Sequence, residues 1–212
     1  MGSIARERAG QFATEEVFQQ VKLHEMTWDG CKACPLHAKR NKVVLWRGHL
    51  PAEVIFIGEA PGESEDVLGV PFVGPAGRVL DEIIAEAYGE IDPKLAKRLP
   101  FAITNAVACK PVDESGEHTA GMIRRPKAAE VKGCSARLNA FLEISNPTIV
   151  FLVGKVAASV QRALPVPAVH IVHPAALLRQ NDAQYALGFK RAYKSIAAAL
   201  AGLHIPSRKN RK

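Results

Sequence analysis

Three residues stand at the ends of apolar runs with side chains suited to one kind of chemistry. Asn105 closes the run Phe101 to Asn105 (FAITN), and its amide both donates and accepts, which suits the edge of a pyrimidine carrying a carbonyl beside an N–H. His173, held by Pro174 after the run Ala168 to Val172, can donate to an oxygen that gains negative charge as a bond breaks. Phe72 sits between two clusters, Gly58-Glu59-Ala60-Pro61-Gly62 and Gly74-Pro75-Ala76-Gly77. Glycine admits backbone close to a ligand, proline fixes a turn, and a ring placed there can stack on a planar ligand. Each residue also has a plainer reading: a turn-forming asparagine, a satisfied structural histidine, a phenylalanine that plugs the core. Their weight comes from sharing one edge of one fold.

The four cysteines form a second constellation. Cys31 and Cys34 make C-x2-C followed by Pro35, while Cys109 and Cys134 lie far along the chain. One close pair and two remote singles fit four-thiolate ligation of zinc or of a 4Fe-4S cluster, and the spacing does not separate the two. Lys and Arg outnumber Asp and Glu by 28 to 21, a formal charge of +7, which favours a polyanionic partner, nucleic acid first. The start of the chain has no apolar run of signal-peptide length, and no segment reaches the roughly 18 apolar residues of a membrane span. A cytoplasmic protein with no membrane association is expected.

The elements that must position these residues alternate. Short apolar runs at Glu53 to Gly58, Phe101 to Asn105, Thr148 to Val153 and Ala168 to Val172 read as strands. Helical spacing marks Thr14 to His24, Ala76 to Tyr88, Pro126 to Leu142, a helix from Gly154 to Leu164, and Gln184 to Leu200. Continuous apolar strands between amphipathic helices predict an α/β fold with a central four-stranded, mostly parallel sheet covered on both faces and function at the carboxyl ends of the strands. The expected organisation is a helical appendage over residues 1–30, a main domain over 31–203 and a basic tail over 204–212.

Taken together, GEAPGESED, PFVGPAG, TNAVACKP and HPAALLR, in this order and with the matching cysteines, resemble the family 4 uracil-DNA glycosylases, the thermostable type with an iron–sulfur cluster. The similarity spans about Cys31 to Leu200. It implies a three-layer α/β/α sandwich, the uracil-DNA glycosylase fold, and hydrolysis of the N-glycosidic bond of uracil in single- or double-stranded DNA by a monomer. By position, Glu59, Ala60, Pro61 and Gly62 form the loop beside the scissile bond, Phe72 stacks on the flipped base and Asn105 reads it. His173 bonds the pyrimidine O2, and Glu65 helps close the pocket against a thymine methyl. Leu177, Leu178 and Arg179 resemble the segment that enters the duplex and fills the gap left by the base. Where the best-known uracil glycosylases place an aspartate this chain has Ala60, which leaves Glu59 or backbone carbonyls to orient the attacking water. For Cys31, Cys34, Cys109 and Cys134 the resemblance favours 4Fe-4S over zinc, in a structural role.

The stretch from Cys109 to Cys134 is longer than in plain members of that family. It carries Lys110, Arg124, Arg125, Lys127 and Lys132, a basic surface for phosphates, and also His118. Loosely, it resembles the enlarged loop of mycobacterial relatives that trap the abasic sugar on a histidine. Those relatives have Gln where Ala60 stands, and their histidine follows a basic run, whereas His118 precedes Arg124 and Arg125. A solvent-exposed His118 is therefore expected, with covalent capture as the alternative. Two rivals complete the set: the same fold excising another deaminated base, and an iron–sulfur DNA-binding protein without activity.

Overall fold

A computed structural model describes residues 14–113 and 122–203. His118 lies outside the described residues, as do residues 1–13 and the basic tail 204–212.

Five strands form one sheet: β1 (Trp46–Gly48), β2 (Val54–Gly58), β3 (Phe101–Asn105), β4 (Ile149–Val153) and β5 (Ala168–Ile171), in the order β1-β3-β2-β4-β5. Strands β2 to β5 run parallel, and β1 pairs antiparallel with β3. The register between the two central neighbours sets Gly58 opposite Asn105. Every residue of β2 and β4 is buried, as strands covered on both faces must be. Alternation sends Ile55 and Ile57 into one core with Trp46, Phe141 and Leu142, and Val54 and Phe56 into another with Ile83, Phe151 and Ile196.

Helices supply the two outer layers. On one face lie α1 (Glu15–Asp29) and α6 (Ser135–Ser145), which pack on each other. On the other lie α3 (Pro75–Gly89) and α9 (Asp182–Ala201). The apolar stripe Val79, Leu80, Ile83, Ile84 and Ala87 of α3 is buried against the sheet, at the spacing that one helical face requires. Shorter helices occupy the loops: α2 (Glu63–Leu68), α4 (Pro93–Ala96), α5 (Ala128–Gly133), α7 (Lys155–Ala158) and α8 (Pro174–Leu177).

Three expectations are corrected. The sheet has five strands rather than four, because Trp46–Gly48 joins its edge through antiparallel backbone bonds, and three residues are too few to show a period of two. The helix expected from Pro126 to Leu142 is two helices. They divide at Cys134, whose N–H returns to the carbonyls of Glu130 and Val131 and whose Sγ accepts from the N–H of Ala108 at 3.4 Å. The helix expected to reach Leu164 stops at Ala158, followed by a 3-10 turn over Gln161–Ala163. At the other end of the chain, α1 runs on to Asp29, with Val21 and His24 buried.

His24 ties stability to pH. Neither ring nitrogen has a hydrogen-bond partner among the described residues, and burial, with the charge of Arg137 second, lowers its pKa to about 4. An unfolded histidine titrates near 6.5, so between roughly pH 6.5 and 4 the unfolded chain binds a proton that the folded chain refuses. Stability is therefore expected to fall as pH drops through that window, by on the order of 2 kcal/mol between pH 7 and 5. Urea denaturation at both pH values checks this, and His24→Phe should flatten the dependence.

Candidate active site

A cavity of about 660 Å³ opens where the parallel strands end. Each strand or the turn after it contributes: Glu59 to Gly62 follow β2, Asn105 ends β3, Gly154 follows β4, and Ile171 to His173 close β5. Phe72, Glu65 and Arg179 complete the set of sequence-predicted residues on the wall.

The floor depends on what Gly58 lacks. A Cβ at that position would overlap both Oδ1 of Asn105 and the ring edge of Phe72, so these two side chains meet over a bare stretch of backbone. Asn105 is 2% exposed, and its Oδ1 accepts no hydrogen bond among the described residues. A buried amide oxygen without a donor is disfavoured unless a ligand supplies one. Phe72 holds φ at +55°, a left-handed conformation that a bulky side chain seldom adopts. Gly77 makes room for it, since a Cβ there would collide with the Phe72 backbone.

Two charged side chains hold the loops to each other. Glu65 accepts from the N–H of Gly62 at 3.0 Å through one carboxylate oxygen and from those of Val73 and Gly74 at 2.9 and 2.8 Å through the other. Its carboxylate is thus a brace between the loop after β2 and the loop that carries Phe72. From the opposite side Arg47 of β1 donates to the carbonyls of Pro71 (2.9 Å) and Phe72 (3.4 Å) and pairs with Asp81 at 2.6 Å. Arg47 was not among the residues singled out in the sequence, because nothing marks a lone arginine in a three-residue strand.

His173 lies with its ring centroid 6.1 Å from that of Phe72, the planes 30° apart. Gly154, at φ +89°, leaves it space, since a Cβ there would come within 2.9 Å of the His173 Cβ. The Ala175 N–H donates to Nδ1 at 3.2 Å, which leaves the single proton of a neutral ring on Nε2. Burial first and the charge of Arg179 second hold the pKa below the usual histidine value. Both the contact at Nδ1 and the lowered pKa favour the neutral imidazole, with its N–H at Nε2. Glu59 moves the other way: burial raises its pKa, and the positive charge of Arg125 opposes the rise.

The remaining expectations divide. Leu178 is 47% exposed and Arg179 is exposed beside the cavity, but Leu177 is only 1% exposed. Its side chain packs over Gly188 of α9, so it belongs to the core and presents nothing to a duplex. Among the loop cations, Lys110 is buried between Glu63 (3.0 Å) and Asp66 (3.1 Å), and Arg124 forms a bidentate pair with Glu130 at 2.6 and 2.8 Å. Both are structural braces rather than phosphate contacts. Arg125, Lys127 and Lys132 are exposed, and Arg125 and Lys155 reach the cavity wall.

Cys31, Cys34, Cys109 and Cys134 come together around one small void, with Trp28, Arg40, Val107 and Arg137. Burial raises the pKa of Cys109 to about 11 and raises that of Cys34, and the neighbouring cysteines add to both shifts. Arg40 donates to the Cys109 Sγ at 3.5 Å. Four thiols facing one dry space, with N–H donors aimed at two of them, fit a cationic group that would hold them as thiolates. Among the described residues no three donors are gathered as a single ion's ligand shell.

The parallel sheet, the cavity at its carboxyl edge and the convergence of amide, imidazole and ring on that cavity define an α/β protein with a polar and aromatic pocket at its strand ends. A sequence model of the Uracil DNA glycosylase superfamily matches residues 46–199, and the chain belongs to that superfamily. It is 37% identical over 129 residues to the Type-4 uracil-DNA glycosylase of Thermotoga maritima, which is 61% of this chain and 59% of that protein. With the protein of the same name from Sulfurisphaera tokodaii it shares 37% identity over 125 residues, 59% of this chain and 50% of the relative. The chain spans between one half and about three fifths of the length of these relatives. The crystal structure of Pedobacter heparinus SMUG2 has a similar fold, with a TM-score of 0.50 at 13% identity over 88% of this chain and 85% of that one. No helix among the described residues is long and apolar enough to cross a membrane.

Gly58→Ala tests the floor. The added methyl is expected to push the Phe72 ring and the Asn105 amide apart and to cost roughly 1–3 kcal/mol by overpacking. Thermal denaturation reads the cost, and a crystal structure of the variant reads the displacement.

Proposed function

We propose that this chain excises uracil from DNA by hydrolysing its N-glycosidic bond, leaving an abasic site. The observation that carries this reading is the buried, unpartnered Oδ1 of Asn105, facing a cavity that also holds a neutral imidazole and an aromatic ring. The resemblance to proteins named Type-4 uracil-DNA glycosylase supports it.

In this mechanism the extruded base stacks on Phe72, and the Asn105 amide meets its edge. Oδ1 accepts the N3–H and the NH₂ donates to O4, a pairing that cytosine cannot satisfy because it offers an amino group at that edge. As the glycosidic bond stretches, the sugar becomes cationic and the negative charge grows on the pyrimidine O2. His173 donates its Nε2–H to that oxygen in a site shielded from water, where such a donor acts most strongly. Glu59 orients the attacking water, since the side chain of Ala60 beside it has no polar atom to offer. Its raised pKa equips the carboxylate to take the proton released. The wall at Gly62, which Glu65 holds in place, excludes the thymine methyl by shape. Leu178 and Arg179 at the rim enter the duplex, while Arg125 and Lys155 meet phosphates.

Cys31, Cys34, Cys109 and Cys134 would hold a 4Fe-4S cluster. When bound, that group supplies a cross-link among three distant chain segments and a net negative charge. Four thiols spaced around a void suit a group with volume of its own.

The test is incubation with a uracil-containing oligonucleotide, followed by denaturing electrophoresis with and without alkali. Alkali-dependent cleavage at the uracil is expected, and its absence would overturn the reading. His173→Ala should lower kcat by about 10²–10³-fold, as loss of one such donor does, with DNA binding retained. Because the neutral ring is the donor and its pKa lies below the usual value, activity should persist through pH 6.5 and fall only under more acid conditions. Arg179→Gln removes one cause of that lowering, so its acid limb should move to higher pH.

A further inference from the structure

Arg137, in the first half of α6, is 2% exposed and has no described function in the chemistry above. Its guanidinium donates to the hydroxyl of Thr104 at 2.8 Å, to the carbonyl of Asn105 through a short bond, and to the carbonyl of Ala106 at 3.2 Å. The Thr104 hydroxyl in turn donates a hydrogen bond to the carbonyl of Leu45 at 2.6 Å. Arg137 thereby fixes the backbone on both sides of the Asn105 side chain, at the end of β3 where the chain turns back beneath the cavity.

The same side chain lines the void around which the four cysteines gather. All three acceptors are neutral, and among the described residues the Nε–H has no acceptor and no carboxylate is paired with the guanidinium. A guanidinium taken out of water with neutral partners only is strongly disfavoured, so a negative charge is needed close by. Thiolates of Cys31, Cys34, Cys109 and Cys134 holding a metal group of smaller positive charge would supply that charge in the adjoining void. That the Arg137 charge is felt locally is consistent with its lowering of the His24 pKa.

We infer that Arg137 is a positioning residue that couples the cysteine site to base recognition. It holds the Asn105 peptide in register with the cavity, and its charge is balanced by the group bound at Cys31, Cys34, Cys109 and Cys134. The inference rests on the proposed reading of Asn105 and gives the cysteine site a second task besides joining chain segments. Lysine cannot replace it fully, since an ammonium has no planar fork to span three acceptors.

The experiment uses the full chain with its metal group bound, as wild type, Arg137→Met and Arg137→Lys. Three quantities are read: the midpoint potential of the bound group, the affinity for free uracil by competition in the release assay, and amide exchange at Asn105 to Val107. Arg137→Met should shift the potential to more negative values, because a positive charge that favours the reduced form is gone. It should also weaken free uracil about tenfold or more, while affinity for a duplex with an abasic analogue stays within about twofold. Arg137→Lys should leave the potential near that of wild type and still weaken free uracil. A loaded Arg137→Met protein in which either quantity is unchanged would overturn the coupling. If that variant does not load, Arg137→Lys decides: weaker uracil with retained duplex affinity supports the inference, and wild-type uracil affinity sinks it. Should wild type itself fail to release uracil, the proposed function falls separately. Exchange then decides the coupling: faster exchange at Asn105 to Val107 in Arg137→Lys supports it, and the wild-type rate rejects it.

Discussion

The site depends on a steric vacancy at the carboxyl end of the central strand pair. Gly58 and Asn105 are partners in the parallel register of β2 and β3, and the missing side chain at 58 leaves the space in which the amide at the end of β3 and the ring of the Phe72 loop approach. A sheet built only for stability would fill that position. Gly154 repeats the device beneath His173 at the end of β4. The polar side chains therefore converge because two strand ends withhold their own bulk, and the cavity lies over the backbone thus left bare.

Around that vacancy the charged residues act mainly as fasteners. Glu65 gathers three backbone N–H groups from two loops, Arg47 takes two carbonyls of the Phe72 loop, and Asp66 accepts from Asn41 while pairing with Lys110. Each satisfies backbone or side-chain groups that irregular, buried chain would otherwise leave unpaired. The Asp66 contacts have a further effect. They tie α2, which begins beside the loop after β2, to the segment after Cys34 and to the residue after Cys109. The cysteine-bearing strips and the cavity edge are thus joined through hydrogen bonds at more than one point.

The parallel strands and the main helices were legible because long apolar runs and helical periodicity report burial directly. Phe72 and His173 are marked in the sequence by the glycines and prolines of their turns and Asn105 by its place at the end of an apolar run, and the structure brings all three to one wall. What escaped detection had no periodicity to betray it. Trp46–Gly48 is too short to alternate, and it carries Arg47. Arg137 looks in the sequence like any solvated cation, and only the surrounding acceptors reveal its use. Leu177 and Leu178 are adjacent and alike, so which of them faces outward depends on the packing of α8 over Gly188, a long-range contact. Lys110 and Arg124 read in the sequence as phosphate contacts for the same reason, since their partners Asp66 and Glu130 are identifiable only once the chain is folded.

Phe72 carries an uncommon backbone conformation, gripped by Arg47 on one side and, through Val73 and Gly74, by Glu65 on the other. Such strain costs on the order of 1–3 kcal/mol and is met once, when the chain folds. On the proposed function, the aromatic face then has little freedom left to lose when a base arrives, so the entropy of ordering the loop is not charged against each encounter. An enzyme of the proposed kind, which must sample many normal nucleotides for every damaged one, would gain from this, because a rigid face can accept or reject each candidate without reorganising around it.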